Sequence, residues 1–203
     1  MKIICIGRNY AAHIEELKNE IPDEPVVFMK PDTSLLKDGD SFYIPDYSND
    51  VHHEIEIVVK INKNGKCIQE KFAHKYYDEI TVGVDFTARD IQSKLKEKGL
   101  PWLKAKGFDG AAPIGKFINK EQVRDLNETE FKLTVNGELR QQGNTSLMLH
   151  NIDKLISYVS QIMTLKTGDL IFTGTPAGVA AVKAGDVLEG SLENYSLLKF
   201  NVL

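Results

Sequence analysis

The segment His52-His53-Glu54-Ile55-Glu56-Ile57-Val58-Val59-Lys60-Ile61 constrains this chain more than any other, because it reads as a β-strand carrying carboxylates among β-branched residues. Side chains two apart on a strand share a face, so Glu54 and Glu56 point one way and Ile55 and Ile57 the other. Neighbouring carboxylates repel each other, and burial without compensation is costly. The carboxylate face therefore meets either water, as one side of a half-solvated antiparallel sheet, or a hard divalent cation that takes oxygen ligands. Spacing alone leaves both open. Asp85, which ends the apolar run Thr81-Val82-Gly83-Val84, is a candidate third carboxylate for a cation site.

No linker, low-complexity stretch or Pro/Gly/Ser-rich run divides the 203 residues, so one domain over 1–203 with a sizeable core is expected. With 29 acidic against 25 basic residues, the net charge of -4 provides no general attraction for nucleic acid or an anionic membrane. No apolar run reaches the length of a membrane span, and Met1-Lys2-Ile3 enters a strand directly, so a soluble, cytoplasmic protein is expected. Cys5 and Cys67 lie far apart among apolar neighbours, which predicts buried reduced thiols.

Strand and helix signals occur in mixed order. Lys2 to Ile6 reads as a strand, 11–18 as a helix, and Pro25 to Lys30 as a buried strand stopped by Pro31. Residues 32–40 read as a polar loop and Ser41 to Ile44 as a short strand. Asn64-Gly65 has the composition of a hairpin turn, with Lys66 to Ile68 as the returning strand, and Phe72 to Ile80 reads as a short helix. Thr87 and Asp90 resemble a capping pair for a helix from Ala88 to Lys98 closed by Gly99. Asn119 with Gln122 predicts a capping box and Asn136-Gly137 a hairpin turn. Asn151 is placed to cap a helix from Ile152 to Thr164 with the apolar stripe Leu155, Ile156, Val159, Ile162 and Met163. The turns Lys166-Thr167-Gly168-Asp169 and Lys183-Ala184-Gly185-Asp186 each lead into a strand, and a hairpin over 187–192 and 196–202 ends the chain. Such repeated strand entries suit a rolled, barrel-like sheet.

Three further features bear on chemistry. His13 and Glu16 share a helix face, which fits either an exposed pair of little worth or an oriented general base. Lys106 lies in the glycine-containing stretch Lys104 to Gly110, where a lysine is ordinarily a surface residue. The turn Thr173-Gly174-Thr175-Pro176-Ala177-Gly178 presents hydroxyls and amides suited to a carboxylate, and it lacks the phosphate-loop pattern, which argues against nucleotide binding.

Five motifs occur in the order seen in the fumarylacetoacetate hydrolase family: Gly7-Arg8-Asn9-Tyr10-x-x-His13, His53-Glu54-x-Glu56, Asp85-x-Thr87-Ala88-Arg89-Asp90-x-Gln92, Lys106-Gly107-Phe108-Asp109-Gly110 and Thr173-Gly174-Thr175-Pro176. Over nearly its whole length the chain resembles the single-domain acylpyruvase and oxaloacetate decarboxylase branch. The resemblance implies an α+β fold, with mixed β-sheets rolled around a metal site and flanked by short helices, assembled as a homodimer. It implies Mg²⁺ or Mn²⁺ on Glu54, Glu56 and Asp85; larger relatives add an aspartate at the position that is Ile6 here. It makes His13 and Glu16 a water-activating dyad on a lid segment, and Lys106 the cation that stabilises developing negative charge. Arg8, Gln92 and Thr175 become substrate contacts, while Arg89 pairs with carboxylates around the metal. The activity implied is metal-dependent hydrolysis of the carbon-carbon bond of 3-acylpyruvates to pyruvate and a carboxylic acid, with oxaloacetate decarboxylation through the same pyruvate enolate. The alternatives are an isomerase or tautomerase of a 2-oxo or 2-hydroxydienoate dicarboxylate, of the 2-hydroxyhepta-2,4-diene-1,7-dioate isomerase or oxaloacetate tautomerase type, and, outside enzymes, a 2-oxo acid binding protein.

Overall fold

The strand Ile55–Ile61 is covered on both faces, which explains how a carboxylate-bearing strand is buried at all. In a computed structural model describing residues 1–37 and 39–203, it pairs antiparallel with Leu170–Phe172 on one edge and Tyr77–Val84 on the other. Its odd-numbered residues Ile55, Ile57, Val59 and Ile61 enter the main core. Val58, on the opposite face, joins a smaller core with Ile3, Cys5, Leu170 and Phe172. Each fully buried Ile or Val contributes about 1.5–3 kcal/mol, and these offset the cost of burying Glu56 on the second face.

The large sheet is mixed. Ile3–Gly7 lies between Val26–Lys30, antiparallel to it, and Leu170–Phe172, parallel to it. On the far side Tyr77–Val84 leads through Ala112–Ile114 to Leu35–Lys37, and Ile118–Asn119 also joins Tyr77–Val84. A second, antiparallel sheet runs Glu138–Asn144, Glu130–Val135, Val187–Leu192, Tyr195–Asn201, and Leu133, Leu192 and Leu198 bring its apolar face into the main core. Three short strands, Ala180–Ala181, Val51–His53 and Thr87–Ala88, form a third sheet beside the site. The result is α+β, with mixed sheets and few, short helices. Among the described residues no helix is long and apolar enough to cross a membrane.

Where local chemistry is self-sufficient, expectation and structure agree. The Asn151 side chain accepts from Lys154 N at 2.9 Å and caps Ile152–Ile162. Asn119 and Gln122 form the capping box. Asn136 and Gly137 take φ of 54° and 80° at the hairpin turn. Asp169 and Asp186 each close their turn by accepting from the backbone N–H of the lysine three residues before.

Tertiary packing overrides the local reading elsewhere. Asn64-Gly65 does not turn a hairpin: Gly65 bridges to Leu165, Cys67 N donates to Ser160 O at 2.9 Å, and no strand forms over Lys66 to Ile68. The chain crosses instead through the helix Glu70–Ala73, and the strand that returns is Tyr77–Val84, which takes residues 77–80 where a helix had been expected and buries Ile80, Val82 and Val84. The expected loop over 32–40 contains a 3₁₀ turn, Asp32–Ser34, and the edge strand Leu35–Lys37. Ser41 to Ile44 forms no strand; Phe42 makes a lone bridge to Val202. Thr87 and Asp90 do not cap their helix, because Ala88 holds the cap position and Asp90 accepts from Ser48 Oγ at 2.7 Å. Ile162 is 54% exposed at the end of its helix, and Cys67 is exposed while Cys5 is buried.

The ladder tolerates no side chain at Gly83, which lies opposite Glu56. A Cβ there would approach Phe172 and Val58 side-chain atoms at 2.8 Å and Pro113 O at 2.9 Å. Gly83→Ala is expected to destabilise the fold by about 1–3 kcal/mol through overpacking, seen as a lower urea midpoint at unchanged slope.

Candidate active site and cation centre

Strand pairing itself gathers the three carboxylates. Glu54 sits in the break between Val51–His53 and Ile55–Ile61, Glu56 two residues on, and Asp85 just beyond Tyr77–Val84. Asp85 N donates to Glu54 O at 2.8 Å, next to the Ile55↔Val84 and Glu56↔Gly83 pairs. One oxygen of each carboxylate falls within 4.8 Å of the others, and all three residues are buried. The solvated-strand reading does not hold.

Two of these carboxylates are met by cations. Lys106, the last residue of the helix Leu103–Lys106, places Nζ 2.8 Å from Glu54 Oε2 and 2.7 Å from Asp85 Oδ2. Arg89, which starts the helix Arg89–Glu97, pairs with Glu54 Oε1 and donates to Gln92 Oε1 at 2.7 Å. Lys30 Nζ lies 2.8 Å from Asp85 Oδ1 but is directed at the carbonyls of Phe86 and Lys106, leaving Oδ1 without an aligned hydrogen bond. Lys30 has no role in the sequence reading. Its signal was a lysine closing an apolar strand against Pro31, with no route to solvent.

Burial opposes the charge on Glu54, yet Lys106 and Arg89 overcome it and hold its carboxyl well below the usual range. Burial lowers Lys106 as well, but Asp85 and Glu54 reverse that and hold it above an ordinary lysine, as a fixed ammonium. Glu56 differs. Its Oε2 accepts from Gly174 N at 2.8 Å, and among the described residues no cation lies within ion-pair distance of it. Burial, then Asp85 and Glu54, push its carboxyl well above the usual range.

The donor set fits a divalent ion. It is all oxygen, it includes Asp85 Oδ1 without an aligned hydrogen bond, and its member Glu56, which none of the protein's cations reaches among the described residues, is the one whose charge a bound ion would stabilise. Hard ions such as Mg²⁺ and Mn²⁺ suit carboxylate oxygen; a zinc site would ordinarily bring histidine or cysteine.

The turn expected to present amides to a carboxylate does so, toward a carboxylate of the protein itself. Gly174 has φ of 103°, and a Cβ there would come within 2.7 Å of Asn9 Cβ. Asn9 in turn donates to Thr173 O at 2.8 Å and His150 O at 2.9 Å, locking the turn beside Glu56. Thr175 Oγ1 accepts from Gln141 Nε2 at 2.9 Å; Gln141 Oε1 accepts from Ile55 N at 3.0 Å and pairs with His53 Nδ1 at 2.8 Å. Burial lowers the His53 pKa despite that bond, so the ring is a neutral Nδ1–H donor. Gln141 is a buried strand glutamine that no local pattern marks, and only the fold connects it to Thr175.

His13 and Glu16 do meet: Nδ1 lies 3.2 Å from Oε2 on the short helix Ala11–Glu16. Glu16 Oε1 accepts from Gly178 N at 3.0 Å, and Arg8 Nη2 donates to Asn19 Oδ1 at 3.2 Å, so both ends of this segment are tied down. Of the nine residues singled out in the sequence, all but Glu16 line one cavity of about 40 Å³; Glu16 stands behind His13. That volume holds roughly one or two waters, and the helix Ala11–Glu16 contributes His13 and Ile14 to its wall.

Comparison with known proteins places this architecture among relatives. The family model described as fumarylacetoacetate (FAA) hydrolase C-terminal matches residues 2–203. The chain is 43% identical over 200 residues to the mitochondrial oxaloacetate tautomerase of Bos taurus, covering 98% of this chain and 90% of that protein. It is 48% identical over 189 residues to the mitochondrial oxaloacetate decarboxylase of Dictyostelium discoideum, covering 93% and 87%. The crystal structure of fumarylpyruvate hydrolase from Pseudomonas aeruginosa, in complex with Mn²⁺ and pyruvate, superposes with a TM-score of 0.95 at 34% identity, covering 100% of this chain and 89% of that one.

A raised Glu56 carboxyl holds its proton at lower pH, and a cation must displace that proton to bind. Mg²⁺ affinity is therefore expected to rise with pH, with proton release visible as a buffer-dependent heat in calorimetry. Glu56→Gln should weaken Mg²⁺ at least about tenfold and abolish the buffer dependence; unchanged heats in both proteins would refute the assignment.

Proposed function

The chain belongs to the fumarylacetoacetate hydrolase family, and from that premise we propose that it is a Mg²⁺- or Mn²⁺-dependent enzyme that hydrolyses 3-acylpyruvates to pyruvate and a carboxylic acid and also acts on oxaloacetate. The observation that carries this reading is the junction of the buried carboxylate triad, Lys106 and the His13–Glu16 dyad in one cavity wall. Residues 1–203 act as one catalytic unit, and the family resemblance supports assembly as a homodimer.

Glu54, Glu56 and Asp85 would hold the ion, which would supply Lewis acidity toward a 2-oxo acid. The protein does the rest. Glu16 accepts from Nδ1–H of His13, which leaves the Nε2 lone pair to take a proton from water. The hydroxide adds to the distal carbonyl, the carbon-carbon bond breaks with its electron pair moving to C3 of the pyruvate fragment, and a returning proton completes pyruvate. Lys106, kept charged by its two carboxylates, offsets the negative charge that develops on the departing enolate. Arg8, Gln92 and Thr175 orient the substrate. With oxaloacetate, loss of carbon dioxide yields the same enolate without attack by water.

A second reading is keto-enol tautomerisation of oxaloacetate, favoured by the 43% identity to a protein of that activity over 98% of the chain. It needs only proton transfer between C3 and the oxygen on C2, within the reach of the same residues.

The test is pyruvate release from acetylpyruvate and, separately, oxaloacetate, with Mg²⁺ and with excess chelator, corrected for the protein-free reaction. Metal-dependent release from acetylpyruvate is expected. Release from neither, with rapid C3 proton exchange in oxaloacetate, would establish the tautomerase instead. His13→Ala should cut acetylpyruvate cleavage by about 10²–10⁴-fold, the typical worth of a positioned general base, and decarboxylation far less; equal losses in the two rates would remove His13 from water activation.

A further inference from the structure

Lys30, Arg89 and Lys106 each pair with Glu54 or Asp85, but the cavity has two more cations that pair with nothing acidic. Lys96 lies seven residues after Arg89 on the helix Arg89–Glu97, two turns on and so on the same face, and both line the cavity. It is half-buried, with its ammonium 5.5 Å from the centre of the Trp102 ring, which also lines the cavity. Among the described residues no carboxylate lies within ion-pair distance of Lys96. Arg8 stands in the turn between Ile3–Gly7 and Ala11–Glu16 with φ of 58°. Among the described residues its Nε is buried without a hydrogen-bond partner, and its guanidinium donates to Asn19 alone.

Two unmatched cations and an indole wall in one small cavity form a receptor for an anion. Repulsion between such groups persists only where a ligand or function repays it. Lys30, Arg89 and Lys106 equal the three carboxylates in number, although none of them reaches Glu56, so a divalent ion together with Arg8 and Lys96 would leave the loaded cavity with net positive charge. A dianion suits it better than a monoanion.

We propose that Lys96, together with Arg8, binds the second carboxylate of a dianionic 2-oxo acid and so sets the preference of the enzyme for 2-oxo dicarboxylates over 2-oxo monocarboxylates. This rests on the reading of the triad as the place of the 2-oxo acid end. Burial, then the charges of Arg8 and Arg89, depress the Lys96 pKa to about 8, with Lys106 adding to the effect and Glu54 opposing it. Lys96 is thus charged at neutral pH, and a bound carboxylate raises its pKa; the dicarboxylate preference should fade as the pH climbs past 8.

The experiment compares fumarylpyruvate, which carries a distal carboxylate, with acetylpyruvate, which does not, in Mn²⁺-loaded wild type, Lys96→Met and Lys96→Arg. Lys96→Met is expected to lower the ratio of kcat/KM for fumarylpyruvate over acetylpyruvate at least about tenfold, chiefly through KM. Lys96→Arg should keep the ratio and remove its decline above pH 8, because a guanidinium stays charged. The dissociation constant of pyruvate, measured by calorimetry on the same proteins, should stay within about twofold, since pyruvate has no second carboxylate. Parallel losses with both substrates would make Lys96 a structural support of Trp102 and overturn the proposal, as would an unchanged ratio. If wild type binds pyruvate yet cleaves neither substrate, the hydrolase reading fails by itself. Both compounds then serve as plain ligands, and the same ratio is read from their dissociation constants. Failure to bind pyruvate would overturn both.

Discussion

Three carboxylates held together away from water are the constraint on which the rest of this structure depends. The cost of that arrangement is electrostatic and large, and the fold meets it by placing Lys106 between Glu54 and Asp85, Arg89 on Glu54 and Lys30 beside Asp85. Each of these cations comes from a different segment, so the site draws the helices after Tyr77–Val84 and the strand Val26–Lys30 onto one point. Only Glu56 is left to a backbone amide, and that is the asymmetry a divalent ion would resolve.

The same logic extends outward from the triad. Gly174 gives its amide to Glu56 because its left-handed backbone fits against Asn9, and Asn9 is fixed by carbonyls on two separate segments. The turn that supports Glu56 also receives Glu16 through Gly178, so the segment bearing His13 closes onto the structure that positions the carboxylate triad. The His13 imidazole, the Lys106 ammonium and the carboxylates are thereby held in one register, by contacts that are separately modest.

Much of this was legible in the chain. Glu54 and Glu56 stood out because strand periodicity placed charges where apolar residues belonged; spacing left water or a cation open, the resemblance implied the set with Asp85, and the ladder brings the three together. Asn151, Asn119 and Asn136-Gly137 acted as expected because a cap or a tight turn is decided within a few residues. Asn64-Gly65 misled for the converse reason: its hairpin propensity is worth little beside the burial of Ile68 and Ala73 against the helix Ile152–Ile162. Lys96 and Gln141 escaped notice because lysine and glutamine are ordinarily surface residues and nothing nearby in sequence contradicts that, and Lys30 because its apolar strand does not say which carboxylate it would meet.

By itself the sequence determined the His13–Glu16 spacing and the paired Glu54 and Glu56 through periodicity, and the family through motif order; the α+β class and the carboxylate triad followed from that resemblance. Tertiary structure alone decided which cation answers which carboxylate, that Gln141 holds Thr175, and that Arg8 and Lys96 share a cavity without an acidic partner. Charge interactions act through space rather than along the chain, so partners far apart in sequence become visible only when the sheets have closed around them.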